Sequence, residues 1–176
     1  MSRDRLIPAA IAGLTGLIVL ALLLVFSQGR RDEINLAAIP DRSQPYPIVG
    51  REHIPIGAPP APYNSSPPTS GDHYPVPVRA GFYRQRLPDG YLVHNLEHGH
   101  IWLSWRDADD LAAIDTFQRL QEAYPEWVVV SHRPENVARL VAAAWGRLLP
   151  LETPDSEALT AFIMRHHDRA PESVPG

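Results

Sequence analysis

The sequence predicts an α+β protein: a single N-terminal transmembrane helix followed by one small domain with a mixed or antiparallel sheet and two helices. Three observations carry that expectation. Residues 7–26 are uncharged and almost wholly apolar, and twenty residues at about 1.5 Å each match a bilayer core of about 30 Å. Residues 100–105 alternate in polarity and 127–132 form a β-branched run, both patterns of strands. Residues 109–124 and 156–168 carry apolar side chains at helical spacing.

From the N-terminus, residues 1–6 are a short tail and 7–26 the anchor. The run ends in Val25-Phe26-Ser27-Gln28-Gly29-Arg30-Arg31, a poor cleavage site, so the anchor is expected to stay attached. Arg3 and Arg5 balance Arg30 and Arg31, so charge does not decide orientation. A short tail before a larger C-terminal domain places that domain outside the cytoplasm, on a single-pass protein of the cell membrane. Residues 27–50 read as a juxtamembrane linker and 51–176 as the extracytoplasmic domain. Within it, 51–78 form a proline-rich arm that excludes helix and central strand. Tyr63, Tyr74, Val76 and Val78 are side chains that pack, so the arm is expected to wrap the domain and deliver His73.

Pro88-Asp89-Gly90 is a turn signal. Tyr91–Asn95 and His100–Trp105 are strand candidates around a histidine-rich turn. Leu111, Ile114, Phe117 and Leu120, spaced by threes, give the next helix a drifting apolar face. Residues 138–149 fit strand–loop–strand around Gly146. The last helix starts at Ser156, capped by Thr153-Pro154-Asp155-Ser156, and buries Leu159, Phe162 and Ile163 with His166 on the same face. Met164 lies off that face with Thr160 and His167. One sheet with helices packed on one face satisfies this order.

Composition excludes whole classes of chemistry. The net charge of −4 argues against nucleic acid. All sixteen basic residues are arginine, which removes Schiff-base lysines and phosphate-loop lysines. The absence of cysteine removes thiol nucleophiles, disulfides, iron–sulfur clusters and thiolate metal sites.

Three of the eight histidines fall in Val93-His94-Asn95-Leu96-Glu97-His98-Gly99-His100. His94 and His98 share a face in either a helix or a strand. With His73 from the arm they are expected to form a set of metal ligands, with Met164 as the fourth; the alternative is that His94 and His98 are partly buried and hydrogen-bonded to backbone, holding the arm in place. Imidazole and thioether without thiolate favour copper, with zinc the second choice. Glu97, His167 and His100 are candidates for the outer shell, while His53, His132 and His166 read as structural or exposed. Pro67-Pro68-Thr69-Ser70-Gly71-Asp72-His73, Val93–Gly99, Ala144-Trp145-Gly146 and Ala170-Pro171-Glu172 resemble a bacterial family, domain of unknown function 3105, over roughly residues 50–173. The resemblance implies a single-span or secreted cell-envelope domain in which His73, His94 and His98 belong to one motif set. His100 stands where it leads one to expect a small or apolar residue.

The functional expectation is a membrane-anchored metal-binding protein, a carrier or assembly factor whose partner is a metal acceptor. The alternative is a non-catalytic accessory subunit of a larger membrane protein complex. A metal-dependent hydrolase comes third: residues 94–98 read HNLEH, with the glutamate misplaced for a zinc protease helix, so catalysis is not the leading reading.

Overall fold

The computed structural model describes residues 35–173. Six strands form one mixed sheet: β1 (Gln44–Pro45), β2 (Gly81–Arg86), β3 (Ile101–Trp105), β4 (Val128–His132), β5 (Leu140–Ala144) and β6 (Arg147–Leu151), in the order β1-β6-β5-β3-β4-β2. Three helices accompany them: α1 (Asp89–Glu97), α2 (Leu111–Ala123) and α3 (Ser156–His166). β2, β3 and β4 run parallel, and β5, β6 and β1 add an antiparallel half. β3 and β4 are joined through α2, a helical crossover that parallel neighbours require. β5 and β6 form a hairpin across Trp145-Gly146, where Gly146 takes the positive φ of +67° that the tight turn needs.

This corrects the expected fold in three respects. Among the described residues the domain has three helices, not two. The expected anchor over residues 7–26 lies outside the described residues, and among the described residues no helix is long and apolar enough to cross a membrane. The helices also cover both faces of the sheet. Ile101, Leu103, Trp105, Val128 and Val130 meet Phe117 of α2 and Leu159, Phe162 and Ile163 of α3 on one face. Trp102, Val129, Val141 and Ala143 meet Leu92 and Leu96 of α1 on the other. β3 is buried along its whole length, as a central strand covered on both sides must be.

Tyr91–Asn95, a strand candidate by sequence, is part of α1. Five residues cannot separate a period of 2 from one of 3.6. Tertiary packing decides here: Leu92 and Leu96, four apart, both reach the sheet. Pro88 sets the helical approach at φ −59° and Asp89 places an acid in the first turn.

The ends of the other helices follow their capping residues. Asp110 accepts from Ala113 N at 3.1 Å and also binds Arg139, so the cap of α2 is tied to the start of β5. Leu111 is exposed, and Ala113 takes its place on the buried face with Ile114, Phe117 and Leu120. The spacing by threes drifted far enough to leave one leucine outside. Asp155 caps α3 through Ala158 N at 3.0 Å.

Two segments outside the sheet position the site. Residues 50–54 lie beside 71–74: Gly71 N donates to Gly50 O, His73 N to Glu52 O and Ile54 N to His73 O. His53 and His73 thereby form a parallel bridge. At the other end, the tail after α3 folds back on α1, with Asp168 N donating to Gly99 O and Glu172 N to Glu97 O. Gly99 has φ +86°, and a Cβ there would meet Asp168 Cα at 2.8 Å and Ser173 Oγ at 2.5 Å. Gly99→Ala is therefore expected to cost at least about 1–3 kcal/mol, since backbone strain and a clash with backbone add. Urea denaturation checks this, and an unchanged midpoint would contradict the packing of the tail.

Candidate metal centre

Helical geometry at residues 94–98 brings one imidazole, one carboxylate and a second imidazole to the same side of α1, because positions i, i+3 and i+4 share a face. His94, Glu97 and His98 occupy those positions, and the arm supplies His73 and His53. The Nε2 or Nδ1 atoms available from His53, His73 and His94 lie within 4.8 Å of one another. His73 is 0 % exposed, Glu97 1 % and His94 4 %. The side chains of His53 and His98 are 45 % and 34 % exposed.

Two backbone carbonyls set the tautomers. His73 Nδ1 lies 2.9 Å from Gly71 O, and His94 Nδ1 lies 2.6 Å from Tyr74 O. A carbonyl only accepts, so each Nδ1 carries a proton, and in the neutral ring each Nε2 presents a lone pair. His73 Nε2 then faces Glu97 Oε2 at 2.9 Å. That distance is short, yet the geometry is not that of a hydrogen bond, and His73 Nε2 and both Glu97 oxygens have no hydrogen-bond partner. His94 Nε2 meets His98 Nε2 at 2.9 Å, a contact in which His98 donates. The His53 ring stacks on His94, 5.0 Å between centroids and 3° from parallel, and approaches Glu97 Oε2 to 3.8 Å.

A buried nitrogen lone pair facing a buried carboxylate is two acceptors without a donor, a costly arrangement for groups removed from water. A cation between them resolves it. An imidazole whose far N–H is held by a carbonyl is also the usual outer-shell pattern of a metal-bound histidine. Burial, reinforced by the neighbouring imidazoles of His98, His73 and His53, holds His94 below the ordinary histidine range, which keeps it neutral and ready to bind.

The other residues singled out by sequence lie elsewhere. His100 belongs to a polar buttress: Asn95 Oδ1 accepts from Val78 N at 3.1 Å, and its Nδ2 donates to Val78 O at 2.7 Å and meets His100 Nδ1 at 2.8 Å. His167 stacks on Trp127 at 3.9 Å and pairs with Asp168. Met164 is exposed on α3, across the sheet from α1, and is not among the groups brought together here. Glu97, expected in an outer shell, stands at the centre. Reading residues 89–97 as a helix would have placed it there. His53 carried no signal of its own, because only the pairing of 50–54 with 71–74 brings it in.

His94, His100 and His166 are all held below the ordinary histidine range, in each case chiefly by burial. Between the folded value and the unfolded value of about 6.5 the unfolded chain binds more protons, so acid favours unfolding. Their contribution is complete above about pH 6.5 and is lost as the pH falls through the folded values. Asp110, held low by Arg139, loses its contribution only below about pH 4. The melting temperature of the chelator-treated chain is therefore expected to drop between pH 7 and 5, before the carboxylates titrate. A flat profile over that interval would contradict the burial of these rings.

The fold and cluster define a small three-layer domain, helices on both faces of a mixed sheet, with a histidine–carboxylate centre at the end of one helix. The chain belongs to the family described as protein of unknown function (DUF3105), whose model matches residues 58–175. His73, His94, Glu97 and His98 fall inside that match, and His53 precedes it. No curated protein and no solved structure matches the chain.

Proposed function

We propose that this protein binds one first-row transition-metal ion, with Cu(II) the preferred ion and zinc the second. The core ligands are His73, His94 and Glu97, and His53 and His98 are exchangeable ligands on the outer, exposed side. The observation that carries the reading is the unpartnered, buried His73 Nε2 facing an unpartnered, buried Glu97 carboxylate.

The chemistry of the donors supports copper: imidazole and carboxylate groups with no thiolate. Cu(II) is also the tightest-binding divalent ion of the first row for nitrogen and oxygen donors. The case for Cu(I) rested on a thioether, and Met164 lies across the sheet from α1.

A second reading has the 2.9 Å His73–Glu97 contact as an imidazolium–carboxylate pair. Against it, Nε2 of His73 is not aligned to donate to Glu97. Elemental analysis and electron paramagnetic resonance of protein loaded with Cu(II) and desalted test the proposal. One copper per chain with hyperfine coupling to several imidazole nitrogens is expected. No retained copper, or a signal without nitrogen coupling, would refute it.

A further inference from the structure

The donors fall into two halves that differ in how they are held. His73, His94 and Glu97 are buried, and Gly71 O and Tyr74 O fix the two rings. His53 and His98 face solvent. The contacts of the His53 ring are stacking on His94, an edge contact with His73 and the 3.8 Å approach to Glu97. His98 bonds to His94, and Glu172 Oε2, itself half exposed, stands 3.8 Å beyond it. A structural metal site keeps no exchangeable position, and here the outer groups, His53 and His98, are within reach of solvent.

Resting on the metal reading, we propose that the site hands its ion to an acceptor protein through the outer face made by His53 and His98. The acceptor is one that presents exposed imidazole or carboxylate donors. The step is ligand substitution without electron transfer. A donor lone pair of the acceptor binds the ion first, and the bond to His53 or His98 then breaks, leaving that imidazole neutral with its lone pair free. The buried half holds the ion until the acceptor has supplied enough donors to replace it.

The histidine centre stands apart from a cleft elsewhere in the domain. A cleft of about 680 Å³ lies between the arm and the end of α2, lined by Val78, Arg79, His100, Gln121 and Glu126 among others. None of His53, His73, His94, Glu97 or His98 lines it. The outer face instead offers further donor groups, which suits exchange between ligand sets.

The test loads the full chain with Cu(II), confirms the stoichiometry, and follows copper release to EDTA, whose amine and carboxylate donors stand in for the acceptor. Release is expected to speed in proportion to EDTA concentration, because attack precedes departure. His53→Ala and His98→Ala should each keep the melting temperature of the metal-free chain and release bound copper faster at fixed EDTA. A loaded chain that releases copper at a rate independent of EDTA overturns the hand-off while leaving the metal reading intact, as does an unchanged rate in both variants. A chain that takes up no copper before EDTA is added overturns both.

Discussion

His73→Ala is expected to abolish stoichiometric copper binding. The ring is buried, its far N–H is held by Gly71 O, and its Nε2 faces Glu97. Loss of an outer-shell partner alone costs roughly 10–100-fold in metal affinity, and removing a bound imidazole should cost more. Alanine also leaves a cavity beside the carboxylate, so the folded fraction must be measured with the metal. His73→Gln, which keeps much of the bulk, serves as a second variant. Equilibrium dialysis against a competing chelator gives both affinities. Either variant binding copper as the native chain does would remove His73 from the centre. His132→Ala is the control: this ring packs on Trp105 and lies 3.2 Å from Arg106 O, and it should bind copper normally.

Arg133→Ala is expected to produce the largest loss of stability, about 3–5 kcal/mol, the usual result of removing one partner from a buried ion pair. Arg133 is nearly buried and grips Asp89 with two parallel hydrogen bonds of 3.1 and 2.9 Å. It also donates to Ser66 Oγ at 2.8 Å and lies over the Trp102 ring. One side chain thus joins the arm, the first turn of α1 and the strand face beneath. Its loss leaves the Asp89 carboxylate without that pair and frees the end of the helix that carries His94 and Glu97. For a domain of this size the melting temperature should fall by about 10–15 °C. Arg86→Ala makes the comparison: its pair with Glu135 is exposed and should contribute no more than about 1 kcal/mol. Equal effects of the two substitutions would refute the assignment.

Much of the sheet was legible because its strands carry strong local signals. Val128–His132 is β-branched, and Trp102 and Ser104 alternate with Ile101, Leu103 and Trp105. Gly146 marked the hairpin, and Asp155 the start of α3. The helix at 89–97 was not legible, since its five central residues satisfy both periods and the choice rests on contacts with β3, β4 and β5. That single error hid Glu97, because in an extended chain it points away from His94 and His98. His53 was hidden for another reason. It joins the cluster through backbone pairing between two proline-bounded segments some twenty residues apart, and no side-chain pattern encodes that pairing. Met164 looked free because it lies off the apolar face of its helix, and it is free, but toward solvent.

The most direct test of the central claim is a crystal structure of the copper-loaded protein with anomalous data collected at the copper edge. One peak is expected within bonding distance of His73 Nε2, His94 Nε2 and a Glu97 oxygen, bordered on its outer side by His53 and His98. A map with no peak there, and a hydrogen bond closing directly between His73 Nε2 and Glu97, would contradict it.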